Sequence, residues 1–271
     1  MNEVWSRRSW LKVAAAVPLA GWGRAEAGGR PQSEAGEPAI REPLPDTFPM
    51  QPSELVREMV TVSHFDLKRV KELVEARPSL AKASWDWGFG DWETALGAAS
   101  HMGNRPIAEY LIANGAAPTL FSAAMLGQLD VVKALVAAQA GVQRMRGPHS
   151  IPLLAHAKAG GESARGVLQY LESLGDAGSE APVPISEAEM NAIKGTYVFG
   201  IAANQQIEVT VERGGLSWTR KGMMGRPLVH LGERAFYPSG APAVRIRFAE
   251  EREAMVMTVK DPDTVLVARR K

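Results

Sequence analysis

No cysteine occurs among the 271 residues, which removes disulfides, thiolate nucleophiles, Cys-ligated zinc and iron–sulfur clusters as chemistries. Five histidines remain: His64, His101, His149, His156 and His230. A helical zinc site sets two histidines at i and i+4, and no pair here has that spacing. His149 and His156 are seven apart, which two helical turns would align, but Pro152 interrupts any helix joining them. The expectation is therefore no metal and no cofactor, with His101 at a helix end bonding carbonyls. Ser79-Leu80-Ala81-Lys82 has the Ser-x-x-Lys spacing of an acylating serine with its lysine. It follows Arg77-Pro78, beyond a helix end, and no later Lys-Thr-Gly completes it, so it is assigned no role. Without a paired nucleophile and base, a metal set or a phosphate loop, the chain reads as non-enzymatic.

The remaining candidates are contact residues. Ser84-Trp85-Asp86-Trp87-Gly88-Phe89-Gly90-Asp91-Trp92-Glu93 holds three of the seven tryptophans. Aromatics between glycines and acids supply contact area at low rotamer cost, as a protein-binding or carbohydrate-binding loop requires. The same tryptophans would equally cap the exposed apolar layer of a terminal repeat. Trp85, Trp87, Phe89 and Trp92 are thus candidate protein-binding residues. Arg144 and Arg146, in the basic stretch Gln143-Arg144-Met145-Arg146-Gly147-Pro148-His149, are two more, suited to an acidic partner or to a solvated loop.

The segment 51–175 must position these residues, and it repeats. Leu96-x-x-Ala99-x-x-x-Gly103, Leu120-x-x-Ala123-x-x-x-Gly127 and Leu154-x-x-Ala157-x-x-x-Gly161 share one spacing. Each is followed by a second apolar helix pattern: Ile107, Tyr110, Leu111; Val131, Ala134, Leu135; and Val167, Tyr170, Leu171. An earlier copy, Phe65 to Val74, keeps only the second half. Alanine lets successive helices approach, leucine fills the layer between them, and glycine suits a helix end that needs positive φ. Asn104 and Asp130 are placed to cap the second helices, and Pro106 falls in a first turn. This pattern resembles the ankyrin repeat, about four units with the first degenerate. The resemblance implies a stack of helical hairpins that binds another protein. Thr94-Ala95-Leu96-Gly97 departs from the family's Thr-Pro-Leu-His opening. The step from Gly103 to Gly127 is 24 residues against roughly 33 in the family, too short for a hairpin finger. Leu135 is expected in a packed layer, where truncation to alanine would cost roughly 2 to 5 kcal/mol.

Residues 191–271 change texture. Short runs of Val, Ile, Thr and aromatics alternate with polar residues, as in Ile207, Val209, Val211 and Val244, Ile246, Phe248, with breaks at Gly214-Gly215 and Asp261-Pro262-Asp263. Seven or eight antiparallel strands forming a meander or half-barrel are expected. Gly195-Thr196-Tyr197, Gly214-Gly215-Leu216 and Arg245-Ile246-Arg247-Phe248 resemble the small lipocalin-like domain appended to serine β-lactamase-like proteins. A small-ligand, lipid or glycan binder would line its interior with Tyr197, Phe199, Trp218, Phe236 and Phe248. The fold class expected overall is α+β, an ankyrin-type stack followed by this β domain.

Address and partner follow from the ends and the charge. Ser6-Arg7-Arg8-Ser9-Trp10-Leu11-Lys12, a short apolar run and Ala25-Glu26-Ala27 resemble a twin-arginine signal, residues 1–27, which implies periplasmic export of an already folded chain. The apolar run is far shorter than the roughly 20 residues that span a bilayer, so no stable membrane insertion is expected after its removal. Five prolines mark residues 28–50 as a linker, and 176–190 as a second. With 31 Lys and Arg against 30 Asp and Glu, nothing draws the chain toward nucleic acid. The reading is an exported, non-enzymatic interaction protein, an adaptor, accessory or immunity-type protein, whose partner is another periplasmic protein.

Overall fold

The computed structural model describes residues 48–178, 183–202, 204–262 and 264–271. The expected twin-arginine signal, most of the expected first linker and residues 179–182 of the expected second lie outside them. Residues Thr47–Lys271 form one compact unit in which a helical half and a β half are fused, a mixed α+β architecture.

The helical half is a row of four hairpins. They are α1 (Ser53–Val62) with α2 (Leu67–Ala76), α3 (Ala95–His101) with α4 (Arg105–Ala113), α5 (Leu120–Met125) with α6 (Leu129–Ala138), and α7 (Leu153–Ala159) with α8 (Arg165–Leu174). The first helices stack in sequence, α1 on α3, α3 on α5 and α5 on α7. Ala99, Ala123 and Ala157 are buried at these contacts, the small side chains that close helix approach demands. Gly103, Gly127 and Gly161 all have φ between 60° and 73°, and the helix ends repeat the same bond. The Asn104 N–H donates to the Ala99 carbonyl at 2.8 Å and the Gln128 N–H to the Ala123 carbonyl at 2.9 Å. Before α3 the chain makes a hairpin finger, β1 (Ser84–Asp86) paired with β2 (Trp92–Thr94).

Several sequence expectations change here. The first hairpin is complete, since α1 precedes α2 and packs on α3; its sequence lacks the Leu-Ala-Gly pattern but keeps the helix. In α6 the inward face is turned by one residue: Val132 is fully buried while Val131 and Leu135 are 46% and 40% exposed. The 24-residue step is the physical reason. It leaves α6 packed on α5 and α8, with Val132 turned inward and Val131 and Leu135 toward solvent. Asn104 stands at the start of α4 without a side-chain cap, and Asp130 sits inside the first turn of α6.

The β half is a closed barrel, not a half-barrel. Eight antiparallel strands run β3 (Gly195–Val198), β4 (Gln206–Glu212), β5 (Gly215–Arg220), β6 (Arg226–Gly232), β7 (Ala235–Pro238), β8 (Arg245–Glu251), β9 (Ala254–Asp261) and β10 (Thr264–Arg270). β10 closes onto β3 through Arg269 opposite Val198 and Arg270 opposite Tyr197. Eight tilted strands are enough to close a ring, and closure removes both exposed edges. Ile207, Val209, Ile246 and Phe248 point inward as the alternation requires, while Val211 at the β4–β5 end is exposed. Helix α9 (Glu187–Ile193) straddles the expected boundary between the second linker, 176–190, and the β domain, and adds Met190 and Ile193 to the barrel core. Tyr197, Phe236 and Phe248 pack edge to face on one another, with centroids 5.4 and 5.7 Å apart. They fill the interior. Trp218 instead stacks on Phe89 of the finger, and Phe199 lies under Arg220, so the five aromatics line no common cavity. No helix among the described residues is long and apolar enough to cross a membrane.

Fully buried Leu111 and half-exposed Leu135 should therefore respond differently. Leu111→Ala is expected to cost about 2 to 5 kcal/mol in urea unfolding, and Leu135→Ala less than about 1 kcal/mol; the reverse order would contradict the assigned phase of α6.

Candidate metal centre

The site grows from a reversal of the usual strand pattern. In β2, Trp92 points to solvent at 63% exposure while Glu93 is fully buried, and Asp91 just before it is buried as well. A lone carboxylate in such a place costs several kcal/mol unless it is paired. Glu93 is surrounded by donors. Trp87 Nε1–H donates to its Oε2 at 2.7 Å and His101 Nε2 lies 2.9 Å from its Oε1. His149 Nε2 and His64 Nε2 stand 3.4 and 3.6 Å from Oε2.

Each imidazole arrives from a different hairpin. His64 follows α1, and its Nδ1 is 3.0 Å from the carbonyls of both Val60 and Thr61. Those acceptors fix the proton on Nδ1 and turn Nε2 toward Glu93. His101 ends α3. His149 lies in the helical turn 148–150 before α7 with φ 57°, a left-handed conformation that costs a non-glycine residue roughly 1 to 3 kcal/mol and persists only when its surroundings hold it. Here they do. Asp91 accepts from the His149 backbone N–H at 2.8 Å and from its Nδ1 at 2.7 Å. The barrel adds three further holds: Ser239 Oγ–H donates to the His149 carbonyl at 2.5 Å, the Gly240 N–H to Ser150 Oγ at 2.9 Å, and Arg226 Nη1 to the Ser239 carbonyl at 2.9 Å. Arg226 Nη2 also sits 3.2 Å from Asp91 Oδ2.

Electrostatics follow the geometry. Burial would raise the Glu93 pKa, but hydrogen bonds from His101 and His149, with the charges of His149 and His64, hold it at about 2. Burial would lower His149, yet its bonds and charge pairing with Asp91 and Glu93 carry it to about 9. Asp91 is likewise lowered against its own burial by His149 and Arg226. His156, behind His101, is pushed down to about 4 by burial, its Nδ1 held by the Pro152 carbonyl at 3.0 Å and its Nε2 without a partner.

His64, Glu93, His101 and His149 bring one ligand atom each to within 4.8 Å of one another. Zinc bonds to imidazole nitrogen and carboxylate oxygen measure about 2.0 to 2.2 Å, so the ligands of one tetrahedral ion lie roughly 3.3 to 3.6 Å apart. Binding one ion would draw the widest pair together by about 1 Å. Two of the three imidazoles have Nδ1–H engaged by a carbonyl or carboxylate, the outer-shell arrangement that fixes a metal-ligating tautomer. A cleft of about 600 Å³ reaches the cluster along His64, His149, Trp87, Met102, Met224 and Arg226. No family model, curated protein or solved structure matches the chain. The centre is therefore read from its own chemistry.

Sequence reasoning expected no metal and placed His101 among carbonyls; the structure puts His101 on Glu93 instead. The i, i+4 template misses this cluster because its members come from helix ends and turns of separate hairpins. Of the contact candidates, Trp85 and Trp87 pack on the helical core and Phe89 on the barrel core, while Trp92 is exposed. Arg144 pairs with Asp176 at 3.3 Å, and Arg146 Nη1 reaches the Ser150 carbonyl at 3.4 Å. Ser79 accepts from Gln51 at the surface, with no base beside it.

Asp91 joins finger, turn and barrel, so Asp91→Asn is expected to cost about 3 kcal/mol by leaving Arg226 and His149 without their shared counter-charge. Urea unfolding measures this, and a loss under about 1 kcal/mol would contradict the assigned role.

Proposed function

We propose that the chain is a metal-binding protein holding one divalent transition-metal ion on His64, Glu93, His101 and His149, and presenting it to the cleft. The observation that carries this reading is the convergence of three Nε2 atoms on one fully buried carboxylate, with two of those rings fixed from behind. A neutral imidazole whose proton is held on Nδ1 aims an Nε2 lone pair at a carboxylate oxygen, which repels it. A proton on Nε2 relieves that repulsion, and so does a metal ion, which binds nitrogen and oxygen together. Imidazole with carboxylate suits zinc, iron, copper or nickel. Bound there on four protein ligands, the ion would fill a tetrahedral shell and supply Lewis-acid character to the cleft only on taking a fifth ligand, while the protein's own residues orient the ligands and exclude water from Glu93.

On the same reading the helical hairpins are ankyrin-like, and the expected twin-arginine signal would export the chain folded, with its ion in place. A protein-binding role is favoured by one further observation. Phe65 and Met102, at 68% and 55% exposure, line the mouth of the cleft, an apolar rim of the kind that marks contact surfaces. In this form the protein is an exported adaptor whose contact surface surrounds a metal.

Titration of stripped full-length protein with Co²⁺ tests the proposal. One equivalent is expected to give the intense visible absorption of a four-coordinate site, and His101→Ala and His149→Ala are each expected to weaken uptake by at least tenfold. A spectrum equal to that of aqueous Co²⁺, or one insensitive to both substitutions, would contradict it.

A further inference from the structure

The outer face of the barrel gathers cations that the protein itself does not neutralise. Arg245 and Lys260 stand directly opposite one another across the β8–β9 ladder, and Arg247 stands opposite Thr258 further along it. Ile246 and Val259, the pair between them, are buried in the barrel, so the two arginines, the lysine and Thr258 share the outer side. Like charges directly opposite in a sheet destabilise the pairing, and all three cations are exposed. Arg245 donates through Nη1 to the Pro242 and Val244 carbonyls, which steadies its guanidinium. Among the described residues, Arg247 and Lys260 have no hydrogen bond or ion pair. General basicity does not account for the cluster, because the chain balances 31 Lys and Arg against 30 Asp and Glu.

These side chains border a groove and not a flat patch. Its volume is about 640 Å³, and its far wall is formed by Leu231 at the end of β6 and Glu233 in the turn that follows. That volume falls within the roughly 300 to 1,000 Å³ typical of small-molecule sites. Glu233 is the one acid of the lining, so three positive charges face a single negative one. The groove shares no residue with the cleft at the histidine cluster.

We infer that this groove binds a phosphate monoester carried on a small polyhydroxylated body, in chemical class a sugar phosphate. Such an ester carries a charge of about −1.5 to −2 at pH 7, which matches the positive excess of the groove. The Arg247 fork and the Lys260 ammonium suit phosphate oxygens, with Arg245 beside them. Glu233, which only accepts, and Thr258, which donates and accepts, suit hydroxyl groups, and Leu231 offers a surface to the C–H face of the body. A bare anion would be repelled by Glu233, whereas hydroxyls on the ligand turn the same carboxylate into a partner. The site rests on the barrel's own residues and stands whether or not the histidine cluster holds a metal.

Calorimetry of the full chain with glucose 6-phosphate, beside glucose, inorganic phosphate and vesicles containing phosphatidic acid, tests this. The ester is expected to saturate one site, glucose not to bind, and phosphate to compete at least tenfold more weakly. Vesicles should not hold the chain once the ester is present. Arg247→Gln and Lys260→Gln, both at exposed positions, should each weaken the ester about tenfold with the melting temperature unchanged. Glu233→Gln should weaken the ester and not phosphate, which separates recognition of the hydroxyls from attraction of charge alone. Absence of saturable binding by the folded chain, equal affinity for ester and phosphate, or an affinity unmoved in both Arg247→Gln and Lys260→Gln would overturn the proposal. Vesicle binding that the ester does not displace would overturn it as well, in favour of a lipid headgroup.

Discussion

A carboxylate withdrawn completely from water governs the arrangement of this protein. Glu93 sits in a two-stranded finger between helical hairpins, and burying its charge is tolerable only if donors and positive groups reach it from every side. Trp87 comes from the same finger, His64 from the end of α1, His101 from the end of α3, and His149 from the turn before α7. The spacing of the hairpins is thus tied to the site. Stacked first helices place their ends in a row, and the finger lies across that row.

The barrel is part of the same construction rather than an appendage. Its Arg226, Ser239 and Gly240 hold the turn that carries His149, acting on Asp91, on the His149 carbonyl and on Ser150. A left-handed histidine in a short turn would relax if released, and Nε2 would swing away from Glu93. Fusing a helical row to a closed barrel in one compact unit supplies the rigidity that a ligand set drawn from distant loops needs.

Local pattern carried much of the architecture. Alternation indicated seven or eight strands and the inward faces of two of them, because Ile207, Val209, Ile246 and Phe248 leave little choice of register. The glycines at 103, 127 and 161 marked helix ends that do adopt positive φ. Closure of the barrel was hidden, since it depends on β3 meeting β10 some 70 residues later. The face of α6 was misread because a shortened repeat step changes which neighbour a helix meets, a property of packing and not of the helix itself. The site was hidden for a sharper reason: attention fell on the aromatics of Asp91-Trp92-Glu93 as contact residues, whereas the fold turns Trp92 outward and buries the two acids. Only the proximity of Asp and Glu at i, i+2 in a finger otherwise rich in aromatics signalled that two acids share one face.

Zinc K-edge X-ray absorption of zinc-loaded full-length protein bears most directly on whether three imidazoles and one carboxylate form a single centre. The account predicts four nitrogen or oxygen neighbours at about 2.0 to 2.1 Å, with the outer-shell scattering of three imidazole rings. A shell made of oxygen alone, or scattering from one ring or none, would contradict it.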